Sequence, residues 1–202
     1  VEELLLEAAR AYSGVNVMFS ALVENLRQAD DGVRVTVRHT DSGQTEEIGA
    51  RFLKVSLGHF SVASDLQSLL RFLSHSPIEV LLENDQTPQG GRLEPIVSFL
   101  ALCTGNGYAF GMTFDMGNWH WQGVDPETAA RSLAPHVRYV HCKGVQQDRG
   151  RLKAVPLQAQ DTHWPAMLAH FPTGILRAIE FPLVGTDLEE TTRRHVAMLA
   201  AV

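Results

Sequence analysis

From about residue 50 onward the chain alternates short β-like runs with helical runs, a rhythm that predicts βαβ units around a parallel sheet. Phe52–Leu57 (FLKVSL) reads as a strand. Ser64 then caps a helix through Leu73, with Leu66, Leu69, Leu70 and Leu73 at helical spacing, and Pro77 closes the turn. Ile78–Glu83 (IEVLLE) is the next strand; the polar loop NDQTPQGG follows, then a helix from about Leu93 to Cys103. Ala109–Asp115 (AFGMTFD) is a third strand, and Asp125, Pro126 and Glu127 supply an N-cap, a first-turn proline and an acid for the helix after it. Val137–His141 and Ile175–Glu180 are two further strands, separated by a basic loop and a helix near Asp161–Phe171. Thr186 and Glu189 form a capping box for the last helix.

Before residue 50 the pattern is weaker. Residues 2–12 read as helix, Val15–Ser20 as strand, and Val33–Arg38 alternates valine with polar residues without deciding between strand and helix. The strand near residue 15 and the five after residue 50 make six, and two more would close a barrel. A (β/α)8 TIM barrel needs about 250 residues. The 202 residues are therefore expected to form one domain, residues 1–202, that is such a barrel lacking about two N-terminal βα units. The rival is a doubly wound open sheet, which the absence of a GxGxxG or P-loop motif disfavours.

Composition fits an ordinary globular domain, with 45% hydrophobic and 20% charged residues. A net charge of −6 argues against a nucleic-acid partner. Cys103 and Cys142 have no CxxC spacing and read as buried hydrophobes in a reducing, cytoplasmic setting. No apolar run approaches the ~20 residues of a membrane helix.

Side chains alternate along a strand, so each run can be sorted by parity. In IEVLLE, Ile78, Val80 and Leu82 share one face and Glu79, Leu81 and Glu83 the other. In AFGMTFD, Phe110, Met112 and Phe114 oppose Gly111, Thr113 and Asp115. In ILRAIEF, Ile175, Ile179 and Phe181 oppose Leu176, Ala178 and Glu180; His141 falls with Val137 and Tyr139. With the most apolar faces against helices, Glu83, Asp115, His141 and Glu180 all point into the barrel at strand C-terminal ends, where barrel enzymes hold their chemistry. Three carboxylates crowded there would repel one another unless a cation neutralised them, and the histidine among them makes a divalent metal the economical answer. The donor set suits Mn²⁺ first, with Mg²⁺, Co²⁺ or Zn²⁺ as alternatives.

The runs VLLEND, TFDMGN, YVHCKG and AIEFP, with 32, 26 and 39 residues between their ligands, resemble the xylose isomerase-like TIM barrels of the sugar phosphate isomerase/epimerase family, over residues 50–202. The resemblance implies that Glu83, Asp115, His141 and Glu180 bind one divalent metal at the ends of strands 5 to 8. It also implies that Glu83 and Glu180 serve as proton acceptor and donor on opposite faces of a substrate carbon. The activity so implied is a metal-dependent sugar or sugar phosphate isomerase or epimerase, working through a metal-stabilised enediolate. A homodimer is a further expectation from the family, with a small-molecule sugar as the partner and no membrane. The alternatives are a metal hydrolase of the apurinic-site endonuclease type and a non-catalytic ligand-binding barrel.

Other residues carry two readings each. Some relatives have a histidine where this chain has Asn118, whose amide can still donate to a substrate. Lys143 either contacts a substrate oxyanion or phosphate or is a solvated rim lysine. Trp119, His120 and Trp121 form a lid, with His120 as a substrate contact, or pack on a neighbouring turn. Lys54 faces the barrel or snorkels outward. His59 reaches the mouth or is polar surface, and Arg149, Arg151 and Lys153 hold a phosphate or form a solvated loop.

Overall fold

The computed structural model describes residues 20–29, 32–50, 52–58, 66–75 and 79–202. The helix expected over residues 2–12, the strand expected over Val15–Ser20 except Ser20 itself, the Ser64 cap, His59 and Pro77 lie outside them. The chain divides into two compact units, Val1–Arg51 with Ser76–Ile78, and Phe52–His75 with Glu79–Val202.

The described part of the smaller unit is an antiparallel meander of β1 (Ala21–Ala29), β2 (Gly32–His39) and β3 (Thr45–Ala50), in that order. The undecided segment Val33–Arg38 is thus a strand, and its valine alternation is strand parity. Val37 is buried while most of β1 and β3 is exposed. Charged side chains pair across the strands: Arg27 forks onto Glu47 at 3.0 Å, Arg38 meets Glu24, and His39 lies 2.6 Å from Glu46. Between β2 and β3, Gly43 takes φ 72° in the turn that returns the chain.

The larger unit is built on a parallel sheet in the order β10-β7-β6-β5-β4. Its strands are β4 (Phe52–Ser56), β5 (Glu79–Glu83), β6 (Gly111–Asp115), β7 (Val137–Cys142) and β10 (Leu176–Ile179). Each pairs with the next parallel strand along the chain, with no reversal of order. A doubly wound sheet reverses at a switch point, and these five strands do not; sequential order is also how strands follow one another around a β/α barrel. The helices are α1 (Leu66–Ser74), α2 (Leu93–Gly105), α3 (Pro126–Leu133), α4 (His163–Leu168) and α5 (Leu188–Ala200).

One face of the sheet meets the helices. Val80, Leu82, Met112, Phe114, Val140 and Cys142 form a single core with Leu70 and Leu73 of α1, Ile96, Phe99 and Leu100 of α2, and Leu133 of α3. Burial of each large side chain contributes about 1.5–3 kcal/mol, so this face fixes strand parity. Leu81, buried on the other face, is not part of that core. Val137 departs from the sequence expectation. Met112 pairs with Val137 but Thr113 pairs with Tyr139, so β7 carries an extra residue, Arg138. Val137 consequently belongs to the helix-side core, while Tyr139 and His141 face the other way.

Two local details also differ. The basic loop after β7 is a hairpin of β8 (Gly144–Asp148) and β9 (Arg151–Val155), closed by Arg149 at φ 49° and Gly150 at φ 79°. Two consecutive positive φ angles match the right-handed twist of a two-residue hairpin. The last helix is capped by Asp187, whose side chain accepts from the Glu190 N–H at 2.9 Å, and not by Thr186. Asp125 caps α3 as expected, accepting from the Thr128 N–H at 2.9 Å, with Pro126 in the first turn.

Candidate metal centre

Register carries side chains from four strands to one place. Asp115 pairs with His141, and His141 with Ala178, two residues before Glu180. Glu83 ends β5 one row below, opposite Thr113. Glu83, Asp115, His141 and Glu180 each offer a ligand atom within 4.8 Å of the others. The His141 Nδ1 lies 2.8 Å from Glu83, 2.9 Å from Glu180 and 3.9 Å from Asp115. Both glutamates therefore approach the same imidazole nitrogen.

Asp115 is held most firmly. One of its carboxylate oxygens, Oδ1, accepts from the backbone N–H groups of Gly117 and Asn118, both at 2.9 Å, at the start of a 3-10 turn over Asn118–Gln122. The fully buried Asn84 side chain acts as an added rung between β5 and β6, accepting from the Asp115 N–H and donating to its carbonyl, both at 2.9 Å. Asn118 is buried as well; its amide donates to the Asn84 carbonyl at 2.8 Å and accepts from Gln86 at 3.1 Å. This network positions Glu83 and Asp115, and Asn84 carried no signal in the sequence pattern. Buried amides that satisfy one another rigidify their surroundings.

Two lysines border the cluster. Lys54 lies beside Leu81 in the register and reaches Glu83 at 2.9 Å, so it faces the barrel side. Lys143 is only 6% exposed, which removes the reading of it as a solvated rim residue; its Nζ lies 2.7 Å from Asp115 and 3.3 Å from Glu180.

The charges acting on each group set its protonation. Burial, and then the neighbouring Glu180, push Asp115 up to about 7, against the pull of Lys143. Burial lowers His141, but Glu180 and Glu83 outweigh it and bring the imidazole up to about 9. Burial also raises Glu180, yet contacts with His141 and Asp115 hold it far below the usual carboxylate range. Burial alone pushes Cys103 to about 11, and it dominates in pushing Cys142 to about 12, so neither thiol is a nucleophile near neutrality.

The residues fit a divalent cation. Asp115 Oδ2 and His141 Nδ1 are buried and approach charged groups, yet neither has a partner with hydrogen-bond geometry. A six-coordinate ion with bonds of about 2.1 Å would separate its ligands by about 3–4 Å, close to the spacings above. Below the cluster, Lys54, Leu81, Thr113, Tyr139, His141 and Leu176 line a cavity of about 390 Å³, and the Thr113 hydroxyl is buried without a partner. His120 is exposed, whereas Trp119 is fully buried against Phe114, with ring centroids 5.5 Å apart. Trp119 is therefore core. Arg149 and Arg151 are exposed at the hairpin tip, and Lys153 pairs with Asp148 at 2.9 Å.

No family model matches the chain, and no curated protein matches it. Among solved structures it is similar to one described as the crystal structure of IOLI protein with a binding zinc atom, at a TM-score of 0.53 and 12% identity. The match covers 74% of this chain and 62% of that one, so the chain spans less than two thirds of the length of that protein. At this identity the likeness is one of fold. Fold and side chains together define an α/β protein of barrel-type winding with a candidate metal centre at its strand ends. Among the described residues, no helix is long and apolar enough to cross a membrane.

Proposed function

We propose that this protein is a divalent-metal-dependent isomerase or epimerase of a sugar or sugar phosphate. The observation that carries the reading is the convergence of Glu83, Asp115, His141 and Glu180 within 4.8 Å at the ends of four adjacent strands. The structure of similar fold is described with a bound zinc atom, which is in keeping with a metal in this fold. Asp115 and His141 would hold the ion together with the two glutamates, and the bound ion would supply the Lewis acidity that makes a proton beside a carbonyl removable.

The chain itself supplies the proton carriers. Glu83 and Glu180 approach the His141 Nδ1 at 2.8 and 2.9 Å, so a substrate bound at the centre has two carboxylates within reach. One takes the proton and the other returns it, which inverts the carbon; return to the adjacent carbon interconverts aldose and ketose. Lys54 holds Glu83 in place. Asn118 braces the Asp115 turn, and His120, exposed on the 3-10 segment, is the proposed outer contact for the substrate.

Metal analysis of purified protein is expected to find about one divalent ion per chain and to identify it, with occupancy lost in Asp115→Ala and in His141→Ala. Full occupancy in both variants would remove the centre. In deuterated water, a panel of ketoses should acquire solvent deuterium, and Glu180→Gln should abolish the exchange. Undiminished exchange in that variant would take Glu180 out of the reaction.

A further inference from the structure

Asp115 has one oxygen to give. Its Oδ1 is taken by the amides of Gly117 and Asn118, leaving Oδ2 as the oxygen that faces the cluster. The Lys143 ammonium already stands 2.7 Å from that oxygen. Lys143 is nearly fully buried, and its stem lies on Gly117, where even a Cβ would come within 2.7 Å of the lysine Cγ and 2.9 Å of Cε. Its head therefore has little room to leave the site. A buried ammonium needs an anionic partner, and besides Asp115 it has Glu180, at 3.3 Å on a half-exposed side chain that also serves His141.

We propose that Lys143 is a metal-gated anion-binding residue, which competes with the ion for Asp115 Oδ2 and, once displaced from it, binds an anionic oxygen of the substrate. Without an ion, Asp115 Oδ2 occupies the ammonium that an anionic substrate group would need. This inference rests on the metal reading above and narrows its substrate class to sugars carrying a carboxylate or a phosphate.

Calorimetric titrations test it, using the metal ion alone, then inorganic phosphate and D-glycerate, with glycerol as the neutral control. Wild-type protein should bind at least one of the two anions when metal-loaded, neither when metal-free, and glycerol in neither state. Whichever anion binds names the substrate group. Lys143→Met and Lys143→Gln, which remove the charge and keep most of the stem, should bind the metal about tenfold more tightly and the anion about tenfold more weakly, the scale of one buried charged contact. A lysine that only filled space would move neither constant in opposite directions. Unchanged metal affinity in a folded variant overturns the competition, and failure of loaded wild-type protein to bind either anion overturns the inference without any variant. Wild-type protein that takes up no divalent ion would defeat the proposed function itself.

Discussion

The candidate centre holds protons that a bound ion would have to expel. With His141 near 9 and Asp115 near 7, the imidazole is protonated at neutral pH and the carboxyl about half so. Ligands bind metal in their deprotonated forms. Metal binding at pH 7 should therefore release more than one proton per chain, and the release should shrink toward zero above pH 9. Apparent affinity should rise across the same window, by up to about tenfold per pH unit for each proton displaced. Calorimetry in buffers of different ionisation enthalpy measures the release, and a pH-independent affinity would contradict the protonation described. At this scale the sequence yielded the convergence of Glu83, Asp115, His141 and Glu180, because a strand-end residue of known parity can point to only one place. It did not yield Asn84, the Lys54 contact or the burial of Lys143. Those depend on how far a side chain reaches across neighbouring rows, which period alone does not encode.

Among the elements, the βα units after residue 52 were legible because apolar strand parity alternates there with helical spacing, and at Asp125 the cap marks the same boundary. Asp125 tests that agreement. Asp125→Ala should cost about 1 kcal/mol in urea unfolding by leaving the Thr128 N–H unpaired. Hydrogen bonds from Thr128 lower the Asp125 pKa. The contribution of its charged form is thus present above the ordinary carboxylate range and fades as pH falls through the depressed value. The β8–β9 hairpin was not legible: its turn places arginine, not asparagine or glycine, at the first positive φ. The β1–β3 meander was obscured because cross-strand ion pairs, rather than a continuous apolar face, occupy much of its surface.

For the molecule as a whole, all four residues of the candidate centre belong to the larger unit. An ion that binds only the folded form should raise stability by about 2.7 kcal/mol at one hundred times its dissociation constant. Scanning calorimetry should show that gain in the transition of the larger unit, with any separate transition of the β1–β3 unit left in place. A rise confined to the smaller unit would put the ion elsewhere. The parallel sheet and its sequential order were legible, because five successive strands were readable along the chain.

Arg138 has a quieter consequence. It stands between two residues that both pair with β6, Val137 with Met112 and Tyr139 with Thr113. Four residues apart on an unbroken strand, Val137 and His141 would share a face; the extra residue lets the first pack toward the helices while the imidazole keeps to the side of the cluster.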